Sequence, residues 1–120
     1  MKKFITISLA SIFGVVLVTS AVLANYGKDN RLFGYVKEYR TLIPLAKAKV
    51  KLYKKSGKLK DSDTTNGRGK YKFSDLTEGT YKVKAKVDGY RNPLDFRKDT
   101  VSRIIKIDGK KQHNLYLQKI

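Results

Sequence analysis

The sequence predicts an all-β protein, a seven-stranded antiparallel Greek-key β-sandwich preceded by an N-terminal hydrophobic export helix. Three observations support this prediction. From Arg31 onward, apolar and polar residues alternate nearly everywhere, which is the period of strands that bury one face. Turn pairs that contain glycine separate these segments at short, regular intervals. No segment after residue 30 shows the periodicity of a helix.

The N-terminal segment predicts export from the cytoplasm. Lys2 and Lys3 precede residues 4–23, which carry no charge and lead to Ala24 through small or compact residues. A basic N-terminus, an apolar stretch and small residues at the end of that stretch are typical of an export signal. The run is also close to the ~20 residues that span a bilayer as a helix. Residues 1–24 are therefore expected to be a cleaved signal peptide or a retained membrane anchor.

In both cases the remainder of the chain is expected outside the cytoplasm, as a secreted, periplasmic or cell-surface protein. Residues 25–30 read as a short polar linker, and residues 31–120 as one domain. The seven predicted strands of this domain lie at 31–37, 48–54, around Leu59, 70–73, 81–87, 101–107 and 115–117. The turn pairs between them are Ser56-Gly57, Asn66-Gly67, Glu78-Gly79, Asp88-Gly89 and Asp108-Gly109.

The charge balance restricts the classes of partner. The chain has 27 Lys and Arg residues against 10 Asp and Glu residues, a formal net charge of +17. Such a field favours anionic partners. Because the domain is expected outside the cytoplasm, these are an anionic envelope polymer, a lipid surface or a polysaccharide, and intracellular nucleic acid is excluded. There is no cysteine, so neither a disulfide nor a thiolate metal site is available. We predict no cofactor.

A long pattern carries a family resemblance. Residues 65–83 read TNGRGKYKFSDLTEGTYKV and are followed by Gly89-Tyr90. Upstream, Leu32-x-Gly34-x-Val36 precedes residues 44–50, which read PLAKAKV. Over residues 31–118 the chain resembles a carboxypeptidase regulatory-like domain, a sandwich of the prealbumin-like (transthyretin-like) type. The resemblance implies an accessory module for folding support, adhesion or binding and not an enzyme, in a family that includes carbohydrate-binding members. It implies structural roles for the turn glycines and for Tyr71, Phe73, Leu76 and Tyr81.

Lysines on outward strand positions form the first candidate site. In sandwiches that resemble this one the second strand lies beside the fifth, which would place five lysines on one outer face: Lys49, Lys51, Lys82, Lys84 and Lys86. Like charges opposite each other in a sheet cost up to ~1 kcal/mol per pair. One interpretation is a surface that binds an anion. The other is a solvated face whose lysines prevent edge-to-edge aggregation.

Aromatic residues form the second candidate site. By strand alternation Phe33, Tyr35, Tyr53 and Tyr116 point outward. If the first and last strands pair, Phe33, Tyr35 and Tyr116 share one outer face. Exposed aromatic rings stack on sugars or contact protein partners. The alternative is that the linker or the loop at 91–99 covers this face.

Other chemistry has little support. Lys37 stands where related surface sandwiches have the lysine of an internal isopeptide bond, but Ala85 replaces the acid that such a reaction needs. The glycine after Asp61-Ser62-Asp63 falls one place late for a calcium loop of the hand type. His113, the single histidine, is expected at the rim of the core. We therefore predict no metal site and no catalytic residue. The expected function is binding or scaffolding in the cell envelope through the lysine face, or alternatively a structural or partner-binding subunit, or a carbohydrate binder, that uses the aromatic face.

Overall fold

The computed structural model describes residues 29–120, so the predicted export helix and the predicted signal peptide or anchor lie outside the described residues. This part of the chain is all-β and contains no helix, hence none that could cross a membrane. Its nine strands are β1 (Arg31–Glu38), β2 (Lys49–Lys54), β3 (Leu59–Thr64), β4 (Lys70–Phe73), β5 (Gly79–Lys86), β6 (Tyr90–Arg91), β7 (Thr100–Ile107), β8 (Lys110–Gln112) and β9 (Leu115–Lys119).

The strands form two sheets. The β1 sheet has the order β4-β1-β9-β6, and β8 also pairs with β1. The β2 sheet has the order β3-β2-β5-β7. In both sheets most neighbours are strands that are not consecutive in the sequence, since only β2 and β3 form a hairpin.

Alternating apolar residues from both sheets fill the space between them. Leu32 and Val36 of β1, Val50 and Leu52 of β2, and Val83 of β5 are completely buried. The remaining buried apolar residues are Leu45, Ala48, Tyr71, Phe73, Leu76, Tyr81, Ala85, Val101, Ile105, Ile107, Leu115 and Leu117. Among the described residues 29–120, this core extends from residue 32 to residue 117 as one continuous hydrophobic cluster, as is typical of a single domain.

All seven predicted strands are present, but the prediction of seven strands is wrong because there are nine. The two extra strands, β6 and β8, have 2 and 3 residues. Every residue of β8 is exposed, so it shows no alternation from which a strand could be recognised.

The prediction of a purely antiparallel sandwich is also wrong. β1 pairs in parallel with β8 and with β9, although its pairing with β4 is antiparallel. The first and last strands do pair, which is the condition for a shared aromatic face, but they pair in parallel and not in the predicted antiparallel direction. Parallel and antiparallel strands have the same alternation of side chains, and the pattern does not distinguish them.

β8 and β9 lie along one edge of β1 and are separated by a break at residues 113–114. There the backbone N–H of His113 donates to the Phe33 carbonyl (2.9 Å), and the Asn114 side-chain oxygen accepts from the Tyr35 N–H (3.0 Å). The buried Tyr71 hydroxyl donates to the His113 carbonyl. A Cβ atom at Gly34 would overlap that same carbonyl. A glycine is thus required where the break approaches β1.

The chain enters the domain at the end of the sandwich that holds the turn at Gly109. Asn30, which falls within the predicted linker, is buried. Its side-chain oxygen accepts from the Gly109 N–H (2.7 Å), and its carbonyl accepts from the Leu76 N–H (3.1 Å). The opposite end of β1 leads into the loop that follows Glu38.

Candidate functional site

The outer face of the β2 sheet brings the five predicted lysines together. β2 and β5 are adjacent, as expected, and their register places Lys49 opposite Lys86 and Lys51 opposite Lys84. Lys82 is the neighbouring outward residue of β5, two residues before Lys84, and lies opposite Tyr53. Because successive outward residues of a strand are about 6.8 Å apart, the lysines form two adjacent columns. We call this surface the lysine face.

Neutral side chains flank the two lysine columns. On the β3 side Lys49 is opposite Thr64 and Lys51 is opposite Ser62. On the β7 side the partners of Lys84 and Lys86 are hydroxyl residues as well, Ser102 and Thr100. The register therefore places no carboxylate beside Lys49, Lys51 or Lys84, and the cross-strand repulsion between lysines is not relieved within the sheet.

Two further contacts modify the charge of this face. Lys86 forms an ion pair with Asp99 at 3.2 Å between exposed side chains, and such exposed pairs contribute little to stability. The ammonium groups of Lys82 and Lys84 lie 5.6 and 5.7 Å from the centre of the Tyr53 ring, within the range of a cation–π interaction.

A shallow depression of about 240 Å³ marks the centre of the lysine face. Four of the five predicted lysines line it, together with Tyr53 and Thr100: Lys49, Lys51, Lys84 and Lys86. Lys82 is outside this lining and joins the face through the Tyr53 ring. Alternation predicts that Tyr53 points outward but does not assign it to the site, because that assignment requires the register of β2 against β5.

The outer face of the β1 sheet holds the predicted aromatic residues. Phe33 and Tyr35 of β1 and Tyr116 of β9 are each partly exposed. The Lys37 ammonium lies 5.6 Å from the centre of the Tyr35 ring, and the Lys70 ammonium lies 5.8 Å from that of Phe33. Lysine side chains therefore accompany two of the three rings. We call this surface the aromatic face.

The weaker candidates occupy structural positions. Lys37 points to the aromatic face and Ala85 is buried in the core, so neither is placed for a cross-link through the interior. One Asp63 carboxylate oxygen accepts from the Lys72 N–H (2.8 Å), and the other from the Thr64 N–H (2.8 Å). Within residues 29–120, no group of three or more His, Cys, Asp or Glu side chains is arranged to hold a metal ion.

His113 lies at the break between β8 and β9 and is partly buried. Burial lowers the pKa of its imidazole below the usual value, and the nearby charges of Arg103 and Lys111 lower it further. Two cations around a neutral imidazole do not form the carboxylate-supported base of a hydrolytic triad. The position is a structural one at the rim of the core.

Several solved structures share this fold. The chain is 13% identical to the BcpA major pilin subunit of Bacillus cereus (TM-score 0.62), covering 78% of this chain and 31% of that one. It is 17% identical to a minor pilin of Streptococcus agalactiae (TM-score 0.60), with 78% and 45% covered. It is 23% identical to the Bacillus anthracis TIE protein (TM-score 0.60), with 78% and 18% covered. The chain thus spans less than half the length of each of these proteins, and at these identities the likeness establishes the fold.

Among curated proteins, no sequence matches this chain. A family does match, however, and the matched residues, 31–97, extend from β1 through β6 into the following loop. They contain the hairpin of β2 and β3, the strand β5 beside it, and four of the five predicted turn glycines, all except Gly109. The resemblance seen in the sequence is therefore confirmed, and the chain belongs to the carboxypeptidase regulatory-like domain family.

Proposed function

We propose that this chain is an exported, non-catalytic binding module of the cell envelope whose lysine face binds an anionic polymer. The observation that carries the proposal is the register of β2 and β5, which sets Lys49 against Lys86 and Lys51 against Lys84. A purely solvated face would be more stable with an acid at one member of each pair. Asp99 supplies one negative charge at Lys86, and a bound polyanion would supply the remaining negative charge from outside the sheet.

Lysine is suited to a polymer more than to a single small ligand. Its ammonium group is a strongly hydrated point charge on a flexible stem, whereas arginine forms the rigid two-pronged contacts that select one carboxylate or phosphate. The lysine face contains no arginine among its five charged positions. Binding is therefore expected to depend on the density of anionic groups and to weaken steeply as salt is added.

The experiment uses residues 25–120 on immobilised polyphosphate and on immobilised polygalacturonate across a salt series. A variant with Lys49, Lys51, Lys82 and Lys84 changed to Glu is expected to elute at much lower salt than the parent protein. The matched control carries the same charge change on dispersed lysines, Lys47, Lys58, Lys72 and Lys111. If both variants lose retention equally, the whole-protein field is responsible and the lysine face is not a site.

A second candidate function rests on the fold likeness to pilin subunits. In this alternative the chain is a structural or partner-binding subunit, or a carbohydrate binder, that uses Phe33, Tyr35 and Tyr116. The partly exposed rings support it, since aromatic side chains are enriched in the cores of protein interfaces. It predicts that Tyr35→Ala and Tyr116→Ala abolish capture of an envelope partner while retention on polyanions is unchanged.

The proposal of export rests on the order of residues 2–24, in which two lysines are followed by an uncharged apolar stretch that ends in small or compact residues. Mass measurement of the protein isolated from cells tests it and distinguishes the two forms. Loss of about 24 residues would identify a cleaved signal peptide. An intact N-terminus in the membrane fraction would identify an anchor, and an intact protein in the soluble cytoplasmic fraction would refute export.

A further inference from the structure

Two loops at one end of the sandwich expose large apolar side chains. The first loop follows β1 and exposes Tyr39, Leu42 and Ile43, and the second joins β6 to β7 and exposes Leu94 and Phe96. We call these five residues the apolar tip. They are separate from both the lysine face and the aromatic face, and neither proposed function uses them.

Strand pairing places the starts of the two loops on either side of the end of β9. The first begins after Glu38, which is opposite Leu117 of β9, and the second begins after Arg91, which is opposite the next residue, Gln118. Both loops therefore leave the β1 sheet beside the end of β9. The entering chain at Asn30 is bonded to the turn at the other end, so the tip is opposite the point where the preceding segment joins the domain.

The first loop satisfies its backbone N–H donors within the protein. The Glu38 and Leu42 N–H groups donate to carbonyls of the same loop, and the Tyr39 N–H donates to the Leu117 carbonyl. One Glu38 carboxylate oxygen accepts from the Arg40 and Thr41 N–H groups, at 3.2 and 2.9 Å. The Ile43 N–H donates to the Thr41 hydroxyl (3.3 Å). All six N–H groups of residues 38–43 therefore have partners inside the protein.

Five backbone N–H groups of the second loop also have internal partners. The Asn92 side-chain oxygen accepts from the Leu94 and Asp95 N–H groups, at 2.8 and 3.2 Å. The Asn92 N–H donates to the Lys98 carbonyl, and the Lys98 N–H donates to the Asp95 carbonyl. The Arg97 N–H donates to the Asp95 carboxylate (3.2 Å), and position 93 is a proline, which has no N–H to satisfy.

Leu42 is an unfavourable residue for a loop whose only role is to turn. Its φ is 62°, in the left-handed region where a glycine or asparagine is accommodated at lower cost. Its side chain is also more than half exposed. A leucine here is unfavourable both for the backbone and for solvation, so a role outside the folding of the domain accounts for it better.

We infer that the apolar tip inserts into the surface of an anionic lipid bilayer. A bilayer offers no hydrogen-bond partners, so only loops whose backbone donors are satisfied internally enter it without penalty. Arg40 in the first loop and Arg97 and Lys98 in the second provide cations at the level of the lipid phosphates. The carboxylates of Glu38 and Asp95 accept internal hydrogen bonds, which lower the pKa of each.

A tryptophan reporter tests this inference, because the chain contains no tryptophan. Leu94→Trp places the reporter on the tip and Ile104→Trp places it on the lysine face, at two side chains that are both 76% exposed. Residues 25–120 of each variant are mixed with vesicles of equimolar phosphatidylcholine and phosphatidylglycerol. We expect emission of Leu94→Trp to shift to shorter wavelength and to be quenched by lipids brominated in their acyl chains, and emission of Ile104→Trp to change little.

The alternatives have distinct signatures. A shift of the Ile104→Trp reporter alone would assign membrane contact to the lysine face and overturn the inference. The absence of a shift in both variants would overturn it as well. A shift of the Leu94→Trp reporter that already occurs without vesicles, together with dimer formation, would assign the tip to a protein interface.

A second pair of variants measures the contribution of the tip. Leu42→Ser with Ile43→Ser is expected to reduce partitioning into the same vesicles by about tenfold or more, because two inserted aliphatic side chains are lost. The matched control is Leu59→Ser with Ile104→Ser, which removes two exposed aliphatic side chains from the β2 sheet and is expected to leave partitioning nearly unchanged. Unfolding curves of both variants establish that the fold is retained. Equal losses in both pairs would refute insertion of the tip.

Discussion

Both outer faces of the sandwich carry lysines and aromatic residues, yet they differ in what stands opposite several of the lysines. On the lysine face, Lys51 of β2 is opposite Lys84 of β5. On the aromatic face, Lys70 of β4 is opposite Tyr35 of β1. Alternation directs lysine outward on both faces, so the difference arises from strand order and register. Register thus decides whether an ammonium group faces another charge or an aromatic ring.

The two sheets also differ in continuity. β5 and β7 pair without interruption from Gly79 to Lys86, whereas the neighbour of β1 on one edge changes from β8 to β9 at residues 113–114. The β1 sheet therefore depends on a few specific contacts at this break, whereas β5 and β7 of the β2 sheet form a regular ladder. The predictions that follow test these two differences.

The largest effect is expected for Gly34→Ala. The new methyl group would overlap the His113 carbonyl oxygen, a backbone atom that cannot move without opening the break. We expect a loss of about 3 kcal/mol in the free energy of unfolding, measured by urea denaturation. The control is Gly67→Ala, because nothing lies within 4 Å of a Cβ atom there, and its effect should stay below about 0.5 kcal/mol. Equal effects at both glycines would show that β1 does not approach the break closely.

Tyr71→Phe is expected to have the next largest effect. The variant removes the hydroxyl that donates to the His113 carbonyl, which leaves a partly buried acceptor with one partner fewer. We expect a loss of about 1–2 kcal/mol in the free energy of unfolding. Tyr81→Phe is an informative counterpart, because its hydroxyl donates to the Thr77 carbonyl (2.7 Å) nearer the surface. A smaller loss for Tyr71→Phe than for Tyr81→Phe would contradict a special role of the break.

The same tyrosine predicts a dependence on alkaline pH. Burial raises the pKa of Tyr71 above its usual value of about 10. The folded protein then retains a proton that the unfolded chain releases, so this contribution to stability is complete below pH ~10 and declines as the pH rises above it. Tyr71→Phe lacks the titrating group. Its stability should therefore fall less steeply with rising pH than that of the parent protein, as measured by urea denaturation at each pH.

The sequence predicts those strands whose residues alternate between a buried and an exposed face, and it does not predict features that leave no such pattern. Alternation with apolar or tyrosine residues on the buried face was sufficient to predict β1, β2, β4, β5 and β9. β7 was predicted from its β-branched and apolar composition, and β3 only as a short segment around Leu59, a side chain that is exposed. Alternation failed for β8, whose residues Lys110, Lys111 and Gln112 are all exposed, because a strand that buries nothing has no period. It also carried no information on the parallel direction of β9, which follows from how the chain crosses between the sheets.

The candidate sites show the same division. The outward orientation of the lysines was predictable from alternation. Their proximity on one face followed from the expectation that β2 and β5 are adjacent strands. The contribution of Tyr53 depended on knowing that it stands opposite Lys82, which requires the register. The apolar tip was overlooked because loops carry no periodic signal. A sequence signal did exist, since residues 39–43 read YRTLI, an unusually apolar composition for a connection between strands.

The smallest predicted effect tests the two faces directly. Lys51→Glu converts a like-charge pair with Lys84 into an opposite-charge pair, and we expect a gain of about 0.5–1 kcal/mol in the free energy of unfolding at low salt. Lys70→Glu makes the same change in net charge but removes the cation beside Phe33, and a loss of about 0.5 kcal/mol is expected. Urea denaturation with and without added salt measures both, and salt should reduce the gain. If the free energy of unfolding changes by the same sign and size in both variants, net charge and not register determines the effect of these substitutions. If Lys51→Glu stabilises the domain while it weakens retention on polyphosphate, the lysine at that position is kept for binding at the expense of stability.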